Sequence, residues 1–131
     1  MPKVSLSLLV LRSANPSATL GFYETLGLDF VEEKHGGGPV HFSCNIGDWV
    51  LEIYPASSES AFDAKASGAT MLGFGVESLD AVLAELQKRN IEPTKAPQNA
   101  PWGRWVNVCD PDGRVVQLSK ETHAASGGAL V

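Results

Sequence analysis

Cysteine is scarce in this chain. Cys44 and Cys109 are the only two in 131 residues, and their separation matches no metal-ligand motif and no disulfide framework. Two such thiols read as buried side chains in a reducing cytoplasm. Positive charge is scarce as well. The net charge is −5 and Lys and Arg nowhere cluster, which argues against a nucleic-acid partner and suits a small or cationic ligand. Long apolar runs are missing too. The first, within MPKVSLSLLVLRS, stops at Arg12 and lacks a cleavage-like flank, so it reads as a strand rather than a membrane span or a leader. What is left is 44% hydrophobic and 19% charged, the proportions of one globular domain able to bury about two-thirds of its unfolded surface.

The most informative stretch is Val40 to Pro55, VHFSCNIGDWVLEIYP. Val40, Phe42, Cys44 and Ile46 alternate with His41, Ser43 and Asn45. Beyond Gly47-Asp48, Leu51 and Ile53 alternate with Val50, Glu52 and Tyr54. Period-two alternation on both sides of a two-residue turn predicts a hairpin with one core face. Its register would set Ile46 opposite Trp49, Ser43 opposite Glu52 and His41 opposite Tyr54. A carboxylate, an imidazole and a phenol then share the second face. Such a face is either simply wet, as in many antiparallel sheets, or the wall of a pocket.

Around this hairpin the chain repeats one pattern. Lys3 to Leu11 is the first strand, with Leu6, Leu8 and Val10 on one face and Ser5, Ser7 and Leu9 on the other. Asn15-Pro16 caps a helix that Gly27 ends, and Leu28 to Lys34 is a second strand. His35 to Pro39 is a glycine turn, and the hairpin completes module one, residues 3–55. Residues 56–69 read as a linker. In module two, residues 70–119, Thr70 to Val76 is a strand and Ser78 caps a helix with Leu79, Val82, Leu83 and Leu86 on one face. Asn90 closes that helix, Ile91 to Lys95 is a short strand, and Ala96 to Pro101 is a loop. Arg104 to Cys109 and Arg114 to Ser119 form a last hairpin, where a bulge at Gly113 is needed to set Asn107 opposite Gln117. Asp110 and Asp112 read as turn residues, and residues 122–131 as a disordered tail. The fold class is α+β, with two βαβββ modules in one domain spanning residues 1–121.

The order of Phe22-Tyr23, Leu26-Gly27-Leu28, Leu51-Glu52-Ile53, Phe74 and Val76 before Ser78-Leu79-Asp80, and Trp102-Gly103-Arg104 before Asp110-Pro111-Asp112-Gly113 resembles the vicinal oxygen chelate superfamily. Glyoxalase I, the bleomycin-resistance proteins and the extradiol dioxygenases belong to it. The resemblance implies curled, antiparallel-rich sheets around a shared cleft and a homodimer. In metal-using members it implies His, Gln or Glu ligands from the first and fourth strands of each module. Glu52 matches the fourth-strand position. Gln117 occupies the eighth-strand position, Met71 the fifth, and Ser5 or Ser7 the first, so the usual metal set is absent.

Two functions follow. One is a small-molecule binder of the bleomycin-resistance kind, without a cofactor, holding an aromatic or polar ligand with Ser7, Tyr54, Met71, Trp102, Arg104, Trp105, Asn107 and Gln117. Gly73 and Gly75 leave room beside them. The other is a lyase, isomerase or dioxygenase-type enzyme with Glu52 and His41 as catalytic residues, or with a relocated divalent metal on His35, His41 and Glu52.

Overall fold

Strand and helix alternate in the expected order. The computed structural model describes residues 4–56 and 70–120. Its elements are β1 (Leu8–Ser13), α1 (Pro16–Glu24), β2 (Val31–Glu33), β3 (His41–Ile46), β4 (Trp49–Pro55), β5 (Met71–Val76), α2 (Leu79–Lys88), β6 (Gln98–Ala100), β7 (Gly103–Cys109) and β8 (Val115–Lys120). They build two open four-stranded sheets, ordered β1-β4-β3-β2 and β5-β8-β7-β6. Each sheet is mixed, because its first strand runs parallel to its last while the other pairs are antiparallel. The chain divides into two units, Met1–Asp63 and Ala64–Val131, with one sheet in each.

In the first unit, Gly47 sits at φ +57 in the two-residue turn between β3 and β4, a conformation that favours glycine at the first central position of a hairpin turn. The pairs Ile46–Trp49, Cys44–Leu51, Ser43–Glu52 and Phe42–Ile53 follow from it. Leu11, Cys44, Leu51 and Ile53 are buried with Phe22 and Tyr23 of α1, whose rings meet edge to face at 4.9 Å. Asn15 caps α1, its Oδ1 accepting from the Ala18 amide at 3.2 Å, and Gly27 takes φ +104 just beyond the helix. Two buried hydroxyls, Ser13 and Thr19, bond each other at 2.8 Å and tie the end of β1 to α1.

In the second unit, Ser78 caps α2 by accepting from Ala81 at 3.2 Å. Leu79, Val82 and Leu86 bury one face of the helix, and Val106, Val108, Val116 and Leu118 bury one face of the sheet. Asn90 closes α2 at φ +62. The β7–β8 loop carries the expected bulge. Asp110 and Gly113 close a turn, with the Gly113 amide donating to Asp110 O at 2.9 Å, and Gly113 takes φ +89. The outcome is Asn107 opposite Gln117.

Three expected boundaries move. The first strand is Leu8–Ser13 rather than Lys3–Leu11, because its hydrogen bonds follow β4 to Pro55. Only Val31–Glu33 of the expected Leu28–Lys34 is strand, and Val40 lies exposed before β3. In module two the second strand is Gln98–Ala100, not Ile91–Lys95. Pro93 lacks the amide a ladder needs, whereas Gln98 to Ala100 pairs with Gly103 to Trp105. The linker beyond Ala56, the tail and Lys3 lie outside the described residues.

Candidate functional site

The first sheet has one apolar face under α1 and one polar face. Register across β1-β4-β3-β2 arranges the polar face in rows. Val10, Glu52, Ser43 and Val31 form one row. The neighbouring row is Arg12, Tyr54, His41 and Glu33, since Arg12 pairs with Tyr54 and Glu33 with His41. His41 and Tyr54 stack with centroids 4.2 Å apart and planes 7° from parallel, so the expected His41–Tyr54 juxtaposition is present. The Arg12 guanidinium lies 5.3 Å from the Tyr54 centroid, within cation–π range. His35 reaches in from the glycine turn, its ring centroid 5.1 Å from that of His41.

His41 is the centre of this row. Its side chain is only 2% exposed. Nδ1 lies 3.3 Å from the carbonyl of Pro39. A carbonyl only accepts, so Nδ1 carries the proton and, in the neutral ring, Nε2 carries the lone pair. Nε2 lies 3.3 Å from Glu33 Oε1 and 3.7 Å from Glu52 Oε2. It nevertheless has no hydrogen-bond partner. Glu33 Oε1 is also 3.8 Å from His35 Nε2. A buried imidazole nitrogen aimed between two carboxylates can bind a proton as a clamped imidazolium, exchange a proton with a ligand, or donate to a metal ion.

Glu33 is the member that sequence reading missed. Within the expected strand Leu28–Lys34 nothing singles it out, and only its pairing with His41 places it on this face. Ser7, by contrast, leaves the site. Val10 is opposite Glu52, so even-numbered residues of the first strand share the face of Glu52. Ser7 has the parity of Leu9 and Leu11 and precedes β1, where its carbonyl accepts from Val50 at 2.9 Å. Val10 and its neighbours Leu8 and Arg12 offer no ligand beside Glu52, and Gly73 stands opposite Gln117 with Met71 and Gly75 on either side. The donor set that metal-using relatives carry on these strands therefore does not fit this chain.

In the second unit, Met71, Asn107, Gln117 and Trp105 do share one sheet face. Trp105 and Asn107 line a pocket of about 170 Å³ with Thr94, Lys95, Ala96 and Gln98. Asn107 Oδ1 is buried without a hydrogen-bond partner. Arg104 does not join them. Strand alternation turns it to the helix side, where Nη1 donates to Asp80 Oδ1 at 2.8 Å. Trp102 sits in the Pro101-Trp102 turn between β6 and β7.

Two open mixed sheets, each built in βαβββ order and each with a polar face, define the class. Residues 5–118 match the Glyoxalase/Bleomycin resistance protein/Dioxygenase superfamily, and the chain belongs to that superfamily. Among solved structures it is similar to TnmS3, an antibiotic binding protein from Streptomyces sp. CB03234, at 25% identity and a TM-score of 0.68, covering 93% of this chain and 99% of that one. It is also similar to a bleomycin resistance determinant encoded on transposon Tn5, at 22% identity and a TM-score of 0.62, covering 90% and 98%. The oxidase ChaP-H2 shares the fold at 13% identity and a TM-score of 0.68, covering 92% and 96%. No curated protein matches the chain. No helix among the described residues is long and apolar enough to cross a membrane.

Proposed function

We propose that this chain is a small-molecule-binding protein of the bleomycin-resistance kind, a cytoplasmic homodimer that holds an aromatic or polar ligand in a cleft at the dimer interface. The supporting observation is the row Arg12–Tyr54–His41–Glu33, a stacked and charged strip on a sheet face that α1 leaves uncovered. Flat rings and paired charges at that spacing suit a ligand that is itself flat and polar. The Trp105–Asn107 pocket offers a second surface of the same character. The likeness to an antibiotic binding protein agrees with this reading.

Isothermal titration with bleomycin and a panel of planar aromatic antibiotics tests it, alongside sedimentation for the dimer. Saturable binding that weakens by roughly tenfold or more in Tyr54→Ala and Glu52→Gln is expected, the size of losing one well-buried contact. Tight binding unaffected by Glu52→Gln and His41→Ala would remove this face from the site. The orphaned His41 Nε2 favours a second reading, a lyase or dioxygenase-type enzyme in which His41 and Glu52 exchange protons with substrate. Turnover of a bound ligand that disappears in Glu52→Gln would replace the first reading with this one.

A further inference from the structure

We infer that Glu33, His35 and His41 form a site for a divalent transition-metal ion of the zinc type, at the β2–β3 edge of the first sheet. One ligand atom from each of the three lies within 4.8 Å of the others. In a tetrahedral zinc site with bonds of about 2.0–2.1 Å, neighbouring ligand atoms are about 3.3–3.4 Å apart. The Glu33 Oε1–His41 Nε2 separation is 3.3 Å and Glu33 Oε1–His35 Nε2 is 3.8 Å, so two edges of the tetrahedron are nearly drawn.

Charge and protonation point the same way. With Nδ1 donating to Pro39, the nitrogen of His41 left to coordinate is Nε2, the buried atom that has no hydrogen-bond partner. Fixing one imidazole nitrogen on a backbone carbonyl while the other coordinates is how ligating histidines are held. His35 is 74% exposed and is followed by three glycines, with Gly36 at φ +58, so its ring is free to move in and close the remaining gap. Glu52 Oε2, 3.7 Å from Nε2, is placed for the fourth corner or for a water there. An imidazole pair with carboxylate suits zinc, cobalt or nickel rather than magnesium or calcium. This site draws on β2, β3 and their loop, not on the strands from which metal-using relatives take their ligands. It shares Glu33 and His41 with the row that supports the small-molecule reading but does not depend on that reading.

Titration of chelator-treated protein with cobalt(II), followed by visible absorption, and with zinc(II), followed by calorimetry, tests the site with no organic ligand present. One ion per chain is expected, with the strong visible bands of low-coordinate cobalt. His35→Ala and Glu33→Gln should each weaken binding by at least tenfold, as even outer-sphere changes commonly do. Both side chains reach solvent, so folding, checked by circular dichroism, should survive. Glu32→Gln, one residue away and paired with Phe42 on the apolar face, should bind as the parent does. Absence of saturable one-to-one binding, or equal affinity in His35→Ala, Glu33→Gln and Glu32→Gln, overturns the proposal. Either result leaves the antibiotic titrations standing or falling on their own.

Discussion

Asp110 carries the register of the second sheet, and replacing it should cost more than any surface carboxylate. Its side chain is fully buried and Oδ1 accepts from the Asp112 and Arg114 amides at 2.9 and 3.0 Å. Oδ2 lies 3.1 Å from Arg114 Nη1, which also reaches Asp112 Oδ2 at 3.3 Å. Asp110→Asn keeps a carbonyl oxygen for both amides but removes the charge that faces a guanidinium only 6% exposed. We expect a loss of about 1.5–3 kcal/mol, the worth of a hydrogen bond to a charged group. Asp110→Ala removes the acceptor of both amides as well as one buried carboxylate paired with the cation, and should lose about 3–5 kcal/mol. That is a large share of the ~5–15 kcal/mol that holds a domain folded, and a fall of roughly 10 °C or more in Tm. Urea and thermal unfolding of both variants give the comparison. A cost below about 1 kcal/mol for Asp110→Ala, or no difference between Asn and Ala, would refute the reasoning.

Two further outcomes are expected. Gly47→Ala meets open space, with no atom within 4 Å of the added Cβ, so its cost is conformational: about 1–2 kcal/mol for an L residue held at φ +57, read by the same unfolding curves. Burial raises the Cys44 thiol above its ordinary ionisation range, partly offset by the Asp29 backbone, while Cys109 is exposed. Iodoacetamide at neutral pH should therefore label one thiol per chain quickly and Cys44 only on unfolding. Because the unfolded thiol ionises first, the Cys44 contribution to stability is complete below the ordinary thiol range and fades as pH climbs through the raised value. Rapid labelling of both thiols in the folded protein would count against the packing around Cys44.

Much of the fold could be read from local chemistry, and the places where it could not have one cause. The β3–β4 hairpin was legible because a two-residue turn fixes register outright, and every pair from Ser43–Glu52 to Ile46–Trp49 follows. Asn107 opposite Gln117 was legible because only a bulge reconciles two alternating faces. The first strand was not, since Leu6, Leu8, Leu9, Val10 and Leu11 are apolar at both parities. Its phase comes from pairing with β4, which sends Val10, not Ser7, to the face of Glu52. Arg104 was misplaced for want of a partner 24 residues away, Asp80.

The same limit hid Glu33 and moved the chemical centre. The turn from His35 to Pro39 is too long to transmit register, and β2 is only three residues. Nothing local therefore says which of Glu32 and Glu33 faces His41. Long-range pairing decides for Glu33, and with it the carboxylates around Nε2 become two instead of one. That second carboxylate changes the chemistry. A single Glu52 beside a histidine makes an acid–base pair, whereas Glu33 and Glu52 flanking a buried lone pair can neutralise a doubly charged ion. Glu52 on β4 is where the superfamily's fold directs attention, but the geometry of this chain gathers further donors on the strands beside it, at the β2–β3 edge.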